Sequence, residues 1–181
     1  MAVKVGSARI DEHGKATGGQ AGDQTGKELS TQNYYVHSKG WRVLRCIDPA
    51  KALKIAKAMI AACANNKIGY DQNQRLTLYN AAKPVGFDPG KVTTACETDC
   101  SALVRVCLAF AGIMVGNFRT TNEASIILGS GMFVELTGSK YTTKSDFLRA
   151  GDVLVTKTQG HTVVVLNDGP KAETNAPTVK K

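Results

Sequence analysis

"ETDCSALVRVCLAFAG", Glu97 to Gly112, places a cysteine in the first turn of a segment that otherwise reads as a buried helix. Its apolar residues Leu103, Val104, Cys107, Leu108 and Ala111 recur at helical spacing, and counting back puts Cys100 on the same face. Thr98 or Asp99 supplies an N-cap. Two roles fit a cysteine at this position. A small buried thiol is a common packing residue. A helix N-terminus also favours a thiolate, because unpaired backbone N–H groups and the helix dipole stabilise negative charge. The same N–H groups can hold an oxyanion. Position alone leaves both roles open. Cys107 shares the face but lies mid-helix, so it reads as core.

A thiolate nucleophile needs a base. His13 and His37 lie in polar loop sequence and read as surface residues, whereas His161 opens a hydrophobic run after Thr158-Gln159-Gly160. Alternation along a strand gives His161 the same face as Val163 and Val165. Cys96 precedes the helix, which makes it a weaker nucleophile than Cys100 and a group that crowds the site.

Outward from these residues the pattern is mixed. "WRVLRC", Trp41 to Cys46, reads as a short strand. Asp48-Pro49 starts a helix to about Asn65, with Ala52, Ile55, Ala56, Met59, Ile60 and Cys63 on one face. Lys51, Lys54 and Lys57 fall on its solvated side. A second helix is expected over about Asp71 to Val85, and another near Asn122 to Leu128. The period then changes to two in "GMFVELT", "DVLVTKT" and "HTVVVLN". Residues 6–40 are rich in Gly, Ser, Thr, Asp and Gln and read as ordered loop. "AGDQTGKE" is not a phosphate loop, since Ala21 and Glu28 stand where that motif needs Gly and Ser or Thr. Helices followed by strands predict an α+β fold with an antiparallel sheet. The expected organisation is one catalytic domain over 1–170, with a polar N-terminal loop region at 1–40 and helices then sheet over 41–170. Residues 171–181 read as a linker or tail.

Composition narrows the partners. The net charge of +8 favours a polyanion. No dense Lys/Arg run occurs, and 6% aromatic residues offer no evident base-stacking platform, so nucleic acid is not the expected partner. Five cysteines without a CxxC pair, beside three histidines, suit neither a disulfide framework nor a zinc site. No metal or other cofactor is expected. The start of the chain lacks a secretory pattern, and Val106 to Gly116 is too short to span a bilayer.

Two separated motifs carry a resemblance. Asp99-Cys100-Ser101 with Leu103-Val104, then Gly151-Asp152 and Gly160-His161, resemble the NlpC-type peptidoglycan cysteine peptidases over about residues 95–168. Ala102 stands where that family usually has Gly. The N-terminal segments "AGDQTGKE" and "IGYDQNQRLTLY" resemble prophage-encoded lysins of Gram-positive bacteria. The resemblance implies a papain-like fold, with the nucleophile helix packed on an antiparallel sheet. It implies a phage endolysin domain acting on peptidoglycan, with anionic wall polymers a further partner and no membrane insertion. Such a protein is made in the host cytoplasm and reaches the wall through a phage-made, holin-type lesion.

The implied chemistry is acyl transfer, with Cys100 as nucleophile, His161 as base and the Cys100 backbone N–H as oxyanion donor. The family's third group lies about twelve residues after the histidine, which lands on Glu173; Asp23, Gln24 and Glu28 are the alternatives. Asn167 is too far along the strand, roughly 20 Å from His161. Tyr70, Asp71, Asp99 and Ser101 are candidates for the substrate groove. An endopeptidase is the family default, and an N-acetylmuramoyl-L-alanine amidase is the close alternative. A non-catalytic module binding wall or nucleic acid is the reading from another class.

Overall fold

The structure, a computed structural model, describes residues 1–173 and 177, so most of the tail expected over 171–181 lies outside the described residues. The fold is α+β, as expected. Its main sheet has six strands: β1 (Lys4–Ala8), β2 (Leu29–Asn33), β3 (Trp41–Cys46), β6 (Phe133–Leu136), β7 (Val153–Thr156) and β8 (Thr162–Val165). They run in the order β2-β1-β8-β7-β3-β6, and each neighbouring pair is antiparallel. A small parallel pair joins β4 (Ile68–Tyr70) to β5 (Cys96–Thr98). The helices are α1 (Pro49–Cys63), α2 (Thr77–Ala82), α3 (Cys100–Phe110), α4 (Glu123–Gly129) and α5 (Ser139–Thr142).

The order of helices before strands is corrected here. The region expected to be loop, residues 6–40, contains most of β1 and all of β2, and β1 lies between β2 and β8 inside the sheet. β1 has no alternating hydrophobic pattern because both its faces are covered. Gly6 faces Met59 of α1, while Ser7 and Ala8 are buried. The second helix is also shorter than expected. Asp71 bonds the backbone N–H of Asn73 and Gln74 in a turn, so helix starts at Thr77 and ends in a 3-10 turn over Lys83–Val85.

α1 begins as the sequence predicts. The Asp48 carboxylate accepts from the Ala50 and Lys51 N–H groups, and Pro49 occupies the first turn. Its buried stripe includes Ala52, Ile55, Ala56, Met59 and Ala62; Ile60, expected on that stripe, is 49% exposed. α3 is buried on nearly every side, from Cys100 through Ala109, with Arg105 the partly exposed residue within that run. It packs between α1, α2 and the sheet. One apolar cluster joins these helices to Leu44, Val153, Val155 and Val164. A second, on the other sheet face, contains Val5, Trp41, Val43, Leu154, Val163 and Val165. Burial on both faces explains the nearly continuous apolar runs of β7 and β8.

The Gly151-Asp152 turn ties the sheet to α1. Gly151 has φ +92°, and a Cβ there would lie 2.1 Å from the Ala52 carbonyl oxygen. Asp152 is buried and accepts from Arg45 Nε and Nη2 at 2.9 and 2.7 Å. Both residues of this motif therefore act in the scaffold. No helix of the described residues is long and apolar enough to cross a membrane.

Candidate active site

Cys100 occupies the first position of α3, and Asp99 is its N-cap. The Asp99 Oδ1 accepts from Ala102 N–H at 2.8 Å. The cysteine is 8% exposed. The backbone N–H groups of Thr162 and Ser101 lie near its sulfur and partly offset the effect of burial on the thiol. The pairing of β1 with β8 stops at Gly6 and Val164, so the ladder ends before Thr162. Burial raises the thiol pKa well above its ordinary value, and the nearby Asp99 and Glu123 carboxyls add to the shift.

His161 immediately precedes β8. Its Nε2 lies 3.3 Å from Ser7 Oγ on β1. Burial pushes the imidazole down to about 4, and His37 and Arg9 push in the same direction. His37 therefore belongs to the electrostatics of this corner. The polar sequence around it hid that role, because its effect on His161 acts across the fold; locally Trp41 packs edge-on at 5.3 Å and Lys39 N–H donates to Nδ1.

The cleft over the sulfur, about 70 Å³, is lined by Tyr70, Gln72, Asp99, Cys100, Ser101, Arg119, Thr120, Gln159 and Gly160. It joins the start of α3 to the turn before His161. No Cys100–His161 hydrogen bond occurs among the described residues, although Cys100 touches the backbone of Thr162 and shares the cleft with Gly160. A larger cavity, about 360 Å³, lies by Trp41, Arg42, Glu135 and Lys157. It has no nucleophile, and Arg42 and Glu135 close an ion pair across it at 2.8 Å.

The endolysin-like domain family matches residues 5–172. The chain belongs to this family. No curated protein and no solved structure matches it.

Within this endolysin-like domain the expected site residues divide. Tyr70, Asp99 and Ser101 reach the cleft, but Asp99 and Ser101 also hold the helix start. Arg75 Nε donates to Asp99 at 2.7 Å, its Nη2 to Ser101 Oγ at 2.8 Å and to the Phe118 carbonyl at 2.6 Å. Asp71 caps its turn and contacts the Glu97 carboxyl, whose pKa rises to about 7 through burial and that neighbour. Cys96 is buried in β5, and burial pushes its thiol up to about 12.

The structure does not bring Glu173 to His161. Its carboxylate accepts from Lys140 Nζ and Tyr141 OH at 3.3 Å, and its charge acts on Arg45. Arg45 binds Asp152 at the start of β7, whereas His161 faces the end of that strand at Thr156. The chain turns back after β8 at Gly169, whose N–H donates to the Leu148 carbonyl, and this carries Glu173 away. Asp23, Gln24 and Glu28 also lie elsewhere. Glu28 accepts from the Gln24 and Tyr70 N–H groups, Gln24 bonds the Ala21 and Gly22 carbonyls, and Asp23 caps Thr25 and Gly26.

Several site residues escaped the sequence reading, among them Arg75 and the cleft residues Gln72, Arg119 and Thr120. Ser7 is another. So is Glu123, fully buried at the start of α4; its Oε1 accepts from Thr162 Oγ1 at 2.7 Å. Its Oε2 has no partner among the described residues, and burial pushes its pKa well up. A lone Glu after Asn122 reads as an ordinary first-turn acid, so nothing in the sequence marked it. Among the described residues no group of three or more His, Cys, Asp and Glu side chains suits a metal ion.

Proposed function

We propose that this domain is a peptidoglycan hydrolase of the phage endolysin type, cutting a stem-peptide amide with Cys100 as nucleophile and His161 as base. The observation that carries the reading is Cys100 at the first turn of α3, lining a cleft that it shares with Gly160 of the histidine turn. Family membership supports the wall as substrate, and the resemblance to NlpC-type peptidases supports the papain-like arrangement and an endopeptidase. The basic chain suits an anionic wall.

The electrostatics favour a neutral resting pair. The thiol is pushed up and the imidazole down, so both are uncharged near neutral pH. An Nε2–H donating to Ser7 Oγ leaves Nδ1 as the base. Substrate arrival positions the carbonyl over the sulfur. The S–H proton passes to His161 as the S–C bond forms, and the Cys100 N–H donates to the developing oxyanion. His161 returns the proton to the departing amine as the C–N bond breaks. Water, deprotonated by His161, then attacks the thioester; the acid leaves and the thiol is restored.

The test compares wild type with Cys100→Ser on purified Gram-positive walls, reading turbidity and the masses of released fragments. Lysis by wild type alone, with new stem-peptide termini, supports the reading and names the bond. Equal lysis by both proteins removes Cys100 from the mechanism.

A further inference from the structure

We propose that Arg119 forms a carboxylate subsite beside Cys100, so that the preferred substrate carries a free carboxylate next to the scissile amide. This rests on the hydrolase reading above and specifies its substrate.

The guanidinium has donors to spare. Its one ion pair among the described residues is a 3.9 Å contact to Asp99, and its side chain is 57% exposed. Asp99 does not need it. That carboxylate already receives Arg75 Nε at 2.7 Å, Ala102 N–H at 2.8 Å and Ser101 Oγ at 3.1 Å. The loose contact aims Arg119 at the cleft without using up its fork of N–H groups, which matches a carboxylate in bidentate fashion.

The backbone beneath Arg119 is fixed. Its N–H donates to Asn122 Oδ1 at 2.9 Å, and the Phe118 carbonyl is held by Arg75. The next residue, Thr120, accepts from Gly160 N–H at 3.2 Å and links this segment to the histidine turn. The backbone that carries Arg119 is thus anchored beside the cleft it shares with Cys100 and Gly160, which limits the ordering cost of binding to the side chain.

Two further cations stand near the cleft: Arg9 acts on His161 across the corner, and Lys39 Nζ donates to the Gln159 carbonyl on the rim. Asp99 is the one carboxylate lining the cleft, and it is buried and saturated. Tyr70 and Gln72, joined by a 3.0 Å bond, complete a polar wall. A carboxamide in place of the carboxylate would keep hydrogen bonding but lose the charge-assisted pair.

The test uses the full chain and synthetic stem peptides that differ only in one carboxylate replaced by carboxamide, on the acyl side or the amine side of the scissile bond. Wild type is expected to lose about tenfold in kcat/KM on one of the two amidated peptides, which names the side. Arg119→Gln should erase that preference by raising KM on the carboxylate peptide alone, and Arg119→Lys should keep part of it. Equal losses on all peptides, or none, overturn the proposal. Binding of the same peptides to Cys100→Ser by calorimetry separates this proposal from the hydrolase reading. Tighter binding of the carboxylate form that vanishes with Arg119→Gln upholds the subsite even if no bond is cut, and equal binding of both forms overturns it.

Discussion

Ser7 shows how one residue can complete a site from the far end of the chain. It is buried at 1% exposure and lies on β1, which pairs with the strand that follows His161. Its hydroxyl meets Nε2, the ring atom that an orienting group must hold if Nδ1 is to face the sulfur. Ser7→Ala removes that partner and leaves nearly the same volume. A single neutral hydrogen bond is worth about 1 kcal/mol, so kcat should fall about fivefold while KM stays unchanged. The pH profile should move with it, and imidazole nitrogen shifts by NMR should change from one tautomer to a mixture. An unchanged kcat and an unchanged tautomer would make Ser7 a packing residue only.

At the scale of elements, glycines show what the site's scaffold tolerates. Gly151→Ala would put a Cβ against the backbone carbonyl of Ala52 at a left-handed φ, and neither α1 nor the turn can yield. We expect a loss of about 3 kcal/mol or more in denaturant unfolding. Gly6→Ala meets Met59 Cγ at 2.6 Å, a side-chain atom that a change of rotamer can move, so about 1–2 kcal/mol is expected. Similar losses from the two would mean that backbone and side-chain neighbours give way alike. The same contrast explains what could be read in advance. α1 and α3 carry their periodicity locally, and β7 its continuous apolar run, because each presents several apolar residues to the interior. β1 is legible only through its neighbours, since Gly6 and Ser7 are chosen by Met59 and His161. β4 and β5, three residues each, are too short to show a period. Cys100 and His161 were marked by their places at a helix start and before a strand, whereas Glu123 and Ser7 carry no local sign of burial.

Across the whole molecule, one corner buries two groups whose titrations oppose each other. The folded state holds His161 near 4 against an ordinary 6.5. The stability this neutral imidazole contributes is complete above about 6.5 and is lost as pH falls through about 4. Glu123 has the reverse sense, since its folded value is raised above 4.5, chiefly by burial. Its contribution is complete below that ordinary value and is lost as pH rises through the raised one. Thermal stability should therefore fall on both sides, with His161 contributing to the acid limb and Glu123, along with Glu97, to the alkaline limb. Glu123→Gln keeps an acceptor for Thr162 and removes the charge, so it should reduce the alkaline limb and leave the acid limb. His161→Gln should do the opposite. Each limb should be worth about 1 kcal/mol or more, which is roughly 2–4 °C in Tm for a chain of this size. Calorimetric scans of the three proteins across roughly pH 3 to 9 make the comparison, and three superimposed curves would refute it. The functional consequence follows from the same geometry. An ionised Glu123 opposes the Cys100 thiolate, so Glu123→Gln should also extend hydrolysis to higher pH, and a mutant that gains stability there without gaining activity would separate the carboxyl from the chemistry.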